Sequence, residues 1–332
     1  MREQKRQFAL GLLAYAAQRG ASAVELCKFA GIDLDTLRLG EAFPSPKQMN
    51  DLWRNACHLC NDPLFGLHFG ESLQLAALGA VGEIIKSSEN VGQAISIAAS
   101  FTSAVTDDYT MEVEKQKKHF TIHLGGKGDV SDDFVARQVA DLLMVFTVHE
   151  LNGFLLTRIQ PDIVTYPYKL FNISEYKRVF RAKSIVKKDE YALKFNAKYW
   201  DEPIITANYE MQQLFLEKVR SSSSNHDEDA IPFQVKILDY LMKNSYLGIL
   251  TLEDVAANFN MSPRSLQRRL QEESTTFQQL ADSVRKSLAI HFLQSGKHQI
   301  KEISSILGYN ELSAFSRAFK RWTGKPPMDY QA

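Results

Sequence analysis

Long, donor-rich side chains recur at helical spacing near the C-terminus of the chain. Arg264, Gln267, Arg268 and Gln271 stand at positions i, i+3, i+4 and i+7, so they would share one face of a helix. Arginine matches the major-groove edge of guanine, and glutamine matches that of adenine. The pattern predicts a helix that reads DNA bases. A lone helix of this kind is also compatible with an ordinary solvated face.

A related pattern follows farther along the chain. Its buried set is Phe315, Phe319 and Trp322, which recur at helical spacing. This arrangement leaves polar side chains on the opposite face, namely Ser313, Ser316, Arg317 and Lys320. Serine discriminates poorly between bases, so this second helix is expected to contribute mainly to positioning.

The two patterns belong to an internal repeat. At an offset of 48 positions, Leu252, Val255, Phe259 and Met261 align with Ile300, Ile303, Leu307 and Tyr309. Beyond the turn the offset is 49, and Leu266, Arg268 and Leu270 align with Phe315, Arg317 and Phe319. A repeat of this size indicates a repeated supersecondary unit, here helix-turn-helix. Two copies in register favour DNA reading over two solvated amphipathic helices.

Residues that begin and end helices stand where this unit requires them. Thr251 and Asp254 form a capping pair for a first helix. Asn260, and Gly308 in the second copy, can adopt the left-handed conformation that ends it. Ser262 caps the next helix, and Pro263 occupies its first turn, where a missing N–H is harmless. The sequence therefore predicts helix-turn-helix units at 251–271 and 300–320.

The segments 261–270 and 307–327 resemble the signature of the AraC/XylS transcription regulators, and the similarity extends over 233–332. The resemblance implies an all-α domain of seven helices, in which a long helix over Phe277–Leu293 joins the two units. The apolar stripe of that helix would be Leu280, Val284, Leu288 and Phe292. At 1.5 Å per residue it would span about 25 Å, which suits major-groove faces one turn, ~34 Å, apart.

The same resemblance implies which residues contact DNA. The base-reading positions would be Arg264, Gln267, Arg268, Ser313, Ser316 and Arg317. Lys320 and Arg321, with the amides at the start of the Ser313 helix, would bind phosphate. Ser274 departs from the glycine common in the family and Ser304 from the usual alanine, without expected loss of the fold. The terminal Tyr330-Gln-Ala also lacks the usual basic residue.

Charge is distributed unevenly along the chain. The 39 basic and 39 acidic side chains balance overall, but from Phe233 onward there are 13 basic against 9 acidic, a net charge of +4. The remainder carries −4. A modestly basic C-terminal part suits sequence-selective DNA binding better than indiscriminate polyelectrolyte binding, although +4 alone is also compatible with ordinary scatter.

The preceding residues alternate between helical and strand-like patterns. Helices are predicted at 8–19, 23–30, 46–60, 91–100, 134–155 and 209–219, with a short helix at 173–180. Alternating apolar and polar residues at 109–114 and 119–124 predict a hairpin, and 157–195 contains short strands. We therefore expect an α+β multidomain protein: a mixed α/β N-terminal domain at 1–220, a polar flexible linker at 221–230 and the DNA-binding domain at 231–332.

This N-terminal region resembles, less sharply, the regulatory domain of one branch of AraC-like proteins. The similarity rests on segments 26–33, 62–70 and 78–82, which are packing motifs. It implies a domain that senses a small-molecule effector and mediates dimerisation. Effectors of such domains include fatty acids, amino-acid-like molecules and sugars, so the resemblance does not identify the effector or its binding residues.

Several other residues could in principle be reactive or bind metal, but their spacing does not indicate a functional site. Cys57 and Cys60 form a C-x-x-C pair, but zinc would need a second pair and Cys27 is the only other cysteine. They are predicted to be buried thiols, with a redox or metal sensor as the alternative. His119 and His123 share a strand face without acidic residues at ligand spacing. Residues 24–37 resemble a third helix-turn-helix, but its second helix is acidic, which predicts a structural helical pair.

The sequence thus predicts a transcription regulator rather than an enzyme, with no cofactor and no metal, and the resemblance implies an activator, the commoner role in the family. Its expected partners are promoter DNA, RNA polymerase, a small-molecule effector and a second copy of the chain. No apolar run is long enough to span a membrane, which favours the cytoplasm. The alternatives are a constitutive or redox-responsive regulator whose N-terminal domain only dimerises, and a DNA-repair alkyltransferase fusion.

Overall fold

The computed structural model describes residues 2–73, 75–78, 80–102, 106–126, 134–154, 159–204, 232–243, 250–296 and 298–331. The chain divides into two compact units, residues 1–206 and 207–332. The predicted linker at 221–230 and the predicted helix at 209–219 lie outside the described residues. The limits of the predicted domains, 1–220 and 231–332, remain predictions.

The first helices of the N-terminal unit begin and end at capping residues. Ser22, Asp33 and Ser45 each accept a hydrogen bond from a backbone N–H in the first turn of the helix that follows. Gly40 ends the third helix in the left-handed conformation. The helices are α1 (Arg2–Gln18), α2 (Ala23–Phe29), α3 (Leu34–Leu39), α4 (Pro46–Leu59), α5 (Phe65–Gly70), α6 (Ala80–Lys86) and α7 (Val91–Ser100).

A five-stranded sheet follows in sequence and is interrupted by two helices. Its elements are β1 (Tyr109–Lys115), β2 (His119–Gly126), α8 (Phe134–Phe154), β3 (Ile163–Tyr166), α9 (Ile173–Phe180), β4 (Ser184–Lys187) and β5 (Tyr191–Asn196). The strand order is β1-β2-β5-β3-β4. All neighbours are antiparallel except β3 and β4, which run parallel because α9 connects them. Strand β2 buries alternate residues, namely Phe120, Ile122 and Leu124, whereas β3 and β5 bury runs of three consecutive residues.

The core of this unit forms where α5 meets α8. Gly66 and Gly70 lie one turn apart on α5, and a Cβ at Gly66 would come within 2.1 Å of the Gln138 carbonyl oxygen. At Gly70 it would lie 2.8 Å from Val145 Cβ. Glycine is therefore what lets the two helices approach so closely. An aromatic group that includes Trp53 and Phe69 fills the space beside them.

The main elements agree with the sequence prediction, with two kinds of difference. The first helix starts at Arg2 rather than Phe8, because its polar first turns are held by Arg6, whose guanidinium donates to Glu3, and not by an apolar stripe. The helical pair predicted at 24–37 is present as α2 and α3, but α5 and α6 were not predicted as separate elements. Each has six or seven residues, fewer than two turns, so none shows a full hydrophobic period.

The C-terminal unit is helical throughout its described residues. It contains α10 (Phe233–Lys243), α11 (Leu252–Asn258), α12 (Pro263–Glu272), α13 (Phe277–Ser295), α14 (Ile300–Ile306) and α15 (Leu312–Thr323), followed by a 3-10 turn at Pro327–Tyr330. The predicted long helix is α13, and its apolar stripe is buried as expected: Leu280, Val284, Leu288 and Phe292. One core cluster includes buried residues of every one of these six helices. The protein is an α+β multidomain protein, as the sequence predicted.

In the part of the chain that the structure describes, no helix is both long and apolar enough to cross a bilayer.

Candidate DNA interface

The first helix-turn-helix consists of α11, a tight turn and α12. Thr251 and Asp254 form a reciprocal capping box at the start of α11. Asn260 has φ 52°, and the Met261 N–H reaches back to the Ala256 carbonyl oxygen at 2.9 Å. Ser262 then caps α12, with Pro263 in its first turn. Each predicted cap and turn residue of this copy performs its expected role.

The second copy, α14 and α15, repeats this turn. Gly308 has φ 78°, and the Tyr309 N–H bonds to the Ser304 carbonyl oxygen at 3.0 Å. Both atoms of that hydrogen bond are displaced by 48 positions from their counterparts in the first copy. Ile303, like its counterpart Val255, is fully buried. The sequence repeat is therefore a repeat of backbone geometry as well as of residue type.

The outward face of α12 is polar and accessible. Leu266 and Leu270 are fully buried in the core, whereas Arg264, Gln267 and Arg268 are exposed. Arg268 Nε lies 3.7 Å from Glu272 Oε1, and both side chains are largely solvated, so this contact contributes little. The structure brings these three predicted base-reading residues together on one surface.

The outward face of α15 is less uniform. Ser313 and Arg317 are exposed, while Ser316 is half-buried. The helix begins at Leu312, one residue earlier than expected, with Glu311 as the N-cap. The Ser313 hydroxyl donates a hydrogen bond to Glu311 Oε2 at 3.2 Å. The first turn of this helix therefore combines a serine, a carboxylate and an arginine one turn later.

Leu312 is a feature of this face that the sequence reading did not single out. Its side chain is 43% exposed at the start of α15, beside Ser313 and one turn before Ser316. An apolar side chain on a recognition face can contact the methyl group of thymine. The sequence carried no signal for this exposure, because Leu312 stands at i, i+3 and i+7 with the buried Phe315 and Phe319.

The two residues predicted to bind phosphate differ in their surroundings. Lys320 is exposed. Arg321 Nη2 lies 3.2 Å from Asp282 Oδ2 of α13, and the same carboxylate accepts a hydrogen bond from Arg285 at 3.1 Å. Arg321 thus ties the end of α15 to the central helix. It would have to share its charge between Asp282 and a phosphate.

A second missed feature lies behind α12. Glu273 accepts hydrogen bonds from the backbone N–H groups of Phe233 and Gln234, at 2.7 and 2.6 Å, and so caps α10. The guanidinium of Arg269 lies 4.2 Å from the centroid of the Phe233 ring. These contacts attach α12 to α10. Arg269 packs in this way, whereas its neighbour Arg268 faces solvent.

The N-terminal unit contains a charge network around Asp62 and His68 of the motif 62–70. His68 Nδ1 lies 2.7 Å from Asp62 Oδ2, and its Nε2 lies 2.9 Å from Glu175 Oε1. Arg19 contacts Asp62 at 2.6 Å, and Arg178 makes hydrogen bonds to both Glu71 and Glu175. Burial opposes charge on His68, but its carboxylate partners raise the pKa of the imidazole.

Among the described residues this network contains three acidic groups and, when His68 is protonated, three basic ones, and it connects residues at or next to the ends of α1, α5 and α9. Removing one partner would leave an uncompensated buried charge. From the sequence alone, residues 62–70 were predicted to be only a packing motif. The charge partners of Asp62 and His68 lie 43 and 107 residues away, so no local pattern revealed them.

The cysteine pair has the environment that was predicted for structural thiols. Cys57 is buried, Cys60 is partly buried, and both are free. Burial raises the pKa of Cys60 to about 12 and that of Cys57 well above its usual range. Such thiols are poor nucleophiles and poor metal ligands. Among the described residues, no group of three or more His, Cys, Asp or Glu side chains could hold a metal ion.

His123 corrects one detail of the sequence reading, which found no acidic partner for it. Its Nδ1 lies 3.1 Å from Glu190 Oε2, and its Nε2 lies 3.8 Å from Glu114 Oε2. Both carboxylates come from neighbouring parts of the sheet rather than from its own strand. The spacing along one strand could not reveal them.

Comparisons with known proteins agree with this arrangement. Residues 20–204 match the family model described as the arabinose-binding domain of AraC transcription regulators, and residues 255–332 match a helix-turn-helix domain. An ornithine utilization regulator of Pseudomonas aeruginosa is 28% identical over 98% of this chain and 95% of its own. The transcriptional activator FapR of Escherichia coli is 31% identical over 55% of this chain and 71% of its own.

Among solved structures, the transcriptional regulator CdpR of Pseudomonas aeruginosa aligns over 89% of this chain and 95% of its own, with 21% identity and a TM-score of 0.42. The first family model alone covers more than half of the chain. The chain therefore belongs to the AraC family of DNA-binding transcription regulators.

Proposed function

We propose that this protein is a cytoplasmic, one-component transcription activator rather than an enzyme. Its C-terminal unit reads a promoter through α12 and α15, and its N-terminal unit binds a small-molecule effector and joins two copies of the chain. RNA polymerase is its target once it is bound to DNA. The observation that carries this proposal is the pair of turns with the same backbone hydrogen bond and a left-handed residue at the equivalent position, each followed by a helix with exposed polar side chains.

The proposed base-reading surface has two parts. On α12 it comprises Arg264, Gln267 and Arg268, whose fork and amide groups suit purine edges. On α15 it comprises Ser313, Ser316 and Arg317, to which the exposed Leu312 adds an apolar contact for a thymine methyl group. Lys320 and Arg321 are proposed to bind phosphate, which fixes register without reading sequence.

The names of similar proteins support the proposals of activation and effector control. FapR is named as an activator, and the ornithine utilization regulator is named for the use of a metabolite. The N-terminal match is to a domain described as arabinose-binding. Each of these names describes another protein, and the extension to this chain is our proposal.

Footprinting of the full-length protein tests the DNA-binding part. Genomic DNA upstream of its own gene and of the neighbouring genes should show two protected major-groove segments about one turn, ~34 Å, apart. The matched pair of variants is Arg264→Ala, on the reading face, and Lys286→Ala, elsewhere in the same unit. Equal loss of protection in both variants, or none in either, would contradict the proposed reading face.

Thermal stability across a metabolite panel tests effector control. A ligand at 100 times its dissociation constant adds about 2.7 kcal/mol to the folded state, which is readily detected. A flat response over a broad panel would favour a constitutive regulator whose N-terminal unit only dimerises. A redox-responsive regulator is disfavoured by the raised pKa of the Cys57 and Cys60 thiols.

A further inference from the structure

The helices α12 and α15 begin differently, although they occupy the same place in the two copies of the repeat. Ser262 and Glu311 are their N-cap residues, and the two are separated by the 49-residue offset of the repeat. The Ser262 hydroxyl caps α12 by accepting a hydrogen bond from the Ser265 N–H at 3.1 Å. The Glu311 side chain makes no such bond to α15. A capping hydrogen bond therefore does not explain the glutamate at this position.

Glu311 instead orients a neighbouring hydroxyl group. Its Oε2 accepts a hydrogen bond from the Ser313 hydroxyl at 3.2 Å, which is the one side-chain hydrogen bond of Glu311 among the described residues. Both residues are exposed. Because the Ser313 proton is directed at the carboxylate, Ser313 Oγ presents only lone pairs to an incoming partner. Together the two side chains form a surface of hydrogen-bond acceptors.

The corresponding surface of α12 offers donors. At the same offset of 49 residues, Arg264 stands in the place of Ser313 and is exposed. A guanidinium has five N–H donors and no acceptor. The starts of the two helices therefore present opposite hydrogen-bonding groups to DNA.

The acceptor surface lies at the end of α15 that meets base edges in a helix-turn-helix, where the N-terminal residues of the second helix contact the bases. A carboxylate at this end repels the phosphates of the DNA backbone. The carboxylate thus disfavours the phosphate contact expected from the amides at the start of this helix. It finds a favourable partner only where a base offers a donor.

An acceptor surface distinguishes between the four bases. In the major groove guanine presents N7 and O6 and thymine presents O4, all of which are acceptors. Cytosine presents the N4 amino group, and adenine presents its N6 amino group next to the acceptor N7. A carboxylate facing adenine would lie near the lone pair of N7. Cytosine is therefore the base that this surface fits best.

We propose that Glu311 determines specificity in the second helix-turn-helix by accepting a hydrogen bond from the N4 amino group of a cytosine, with Ser313 as a positioning residue that holds the carboxylate. This inference rests on the proposed base reading through α15. It deepens that proposal by adding a reader outside the six predicted base contacts and by naming its base. It also gives the second unit a preference that its serines alone would not supply.

Selection of bound duplexes from a random library by the full-length protein tests this assignment. The wild type should enrich a C·G pair at one position of its motif, by about tenfold over the other pairs. Glu311→Ser should lose that preference and retain the rest of the motif. Serine is the N-cap residue of the first copy, so the variant supplies a capping hydroxyl and should fold.

A second pair of variants separates base reading from general repulsion. Glu311→Gln and Glu253→Gln each remove one exposed carboxylate, and Glu253 lies in the first turn of α11, outside both recognition helices. Each change removes a negative charge, so both should tighten binding to scrambled duplexes. Only Glu311→Gln should also relax the preference for cytosine, because an amide can donate to guanine or thymine as well as accept.

The outcomes distinguish this inference from the proposal beneath it. If both Glu311 variants enrich the same motif as the wild type and differ only in overall affinity, Glu311 merely repels the backbone and the assignment fails, while sequence-specific reading stands. Loss of preference for a base other than cytosine would also overturn the assignment. A wild type that enriches no motif would contradict the proposed DNA reading itself, and this inference with it.

Discussion

At the scale of single residues, Arg268 and Lys320 represent two different ways to bind DNA. Arg268→Ala should cost about 1–3 kcal/mol of binding free energy and relax preference at one base pair. Lys320→Ala should weaken all sequences alike and reduce the slope of log affinity against log salt by about 1. Titrations of specific and scrambled duplexes at several salt concentrations measure both quantities. Uniform weakening by Arg268→Ala would remove it from the base-reading set.

The exposed position of Leu312 leads to a prediction about the methyl group of one thymine. Replacing thymine by deoxyuridine removes only that methyl, worth about 0.8 kcal/mol or roughly fourfold in affinity. Scanned through the protected site, this replacement should weaken the wild type at one position. Leu312→Ala should be insensitive at that position.

A matched control for that scan is Met328→Ala, which truncates another exposed apolar residue of the same unit, 75% exposed in the final 3-10 turn. It should retain the wild-type response to deoxyuridine. If no thymine shows a methyl effect, or if Leu312→Ala responds as the wild type does, Leu312 does not read thymine.

The residue types on α12 were sufficient to predict which side chains face solvent, because Leu266 and Leu270 fix the orientation of the helix. The contacts that hold the helices could not be predicted in the same way. Glu273 caps α10 from 40 residues away, and Asp282 meets Arg321 across 39 residues. Such contacts depend on the packed fold and leave no periodic signal in the sequence.

At the scale of elements, the end of α12 stores strain that can be measured. Ser274 has φ 58°, a left-handed conformation in which a side chain costs about 1 kcal/mol. Ser274→Gly should therefore raise the free energy of unfolding of the C-terminal unit by about 0.5–1 kcal/mol. Chemical denaturation of the full-length protein, followed by Trp322 fluorescence in a background without the other tryptophans, measures the change.

Gly308→Ala is the converse change in the second turn. At φ 78° the added Cβ would meet nothing within 4 Å, so its cost is backbone strain alone, about 1–2 kcal/mol. Opposite signs for the two variants are expected. A Ser274→Gly variant that is no more stable than wild type would show that Ser274 is not strained.

Helix α8 carries a buried carboxyl group that makes stability depend on pH. Asp141 accepts hydrogen bonds from the hydroxyls of Tyr166 and Tyr176, at 2.9 and 2.8 Å. Burial nevertheless raises the pKa of Asp141 to about 7, with the two tyrosine bonds opposing it. The folded state therefore holds a proton that the unfolded state has lost above about pH 4.

The raised pKa of Asp141 determines whether the stability of the fold rises or falls with pH. Stability supplied by the protonated Asp141 is fully present below about pH 4 and is lost as the pH rises to about 7, by at most about 4 kcal/mol. Asp141→Asn should remove this dependence, so the wild type should lose stability relative to the variant over that range. Denaturant titrations at a series of pH values measure the difference. Parallel curves for the two proteins would contradict the raised pKa.

Long elements were predictable and short ones were not, for a physical reason. The 21 residues of α8 and the alternation in β1 and β2 each extend over several periods. The six residues of α5 do not, and its position is fixed instead by the close contact of Gly66 and Gly70 with α8. The sequence shows those glycines but not the partner helix that requires them.

At the scale of the whole molecule, the two units differ in where their polar groups and open spaces lie. The C-terminal unit has a repeated, exposed polar surface on one shared core, which suits a long regular ligand such as DNA. The N-terminal unit has an apolar cavity between α6, α7, β1 and α8 and a separate internal charge network around Asp62 and His68. A regulator needs both kinds of surface, and each was assembled from residues far apart in sequence.

The rigidity of the C-terminal unit leads to a prediction about DNA spacing. Both helix-turn-helix units pack on α13, whose 19 residues span about 28 Å and share the same core. Inserting about 5 base pairs between the two protected segments turns the second one to the opposite side of the duplex. The affinity should then fall to that of a target with only one segment.

Inserting a full turn, about 10 base pairs, restores the facing side but adds ~34 Å, which a single rigid unit cannot span. Both insertions should therefore fail equally in titrations with full-length protein, whereas the same insertions outside the protected region should have no effect. Recovery with the full turn alone would mean that the two segments are occupied by separate copies of the chain. Each copy would then use one helix-turn-helix, and dimerisation by the N-terminal unit would set the spacing that we assign to α13.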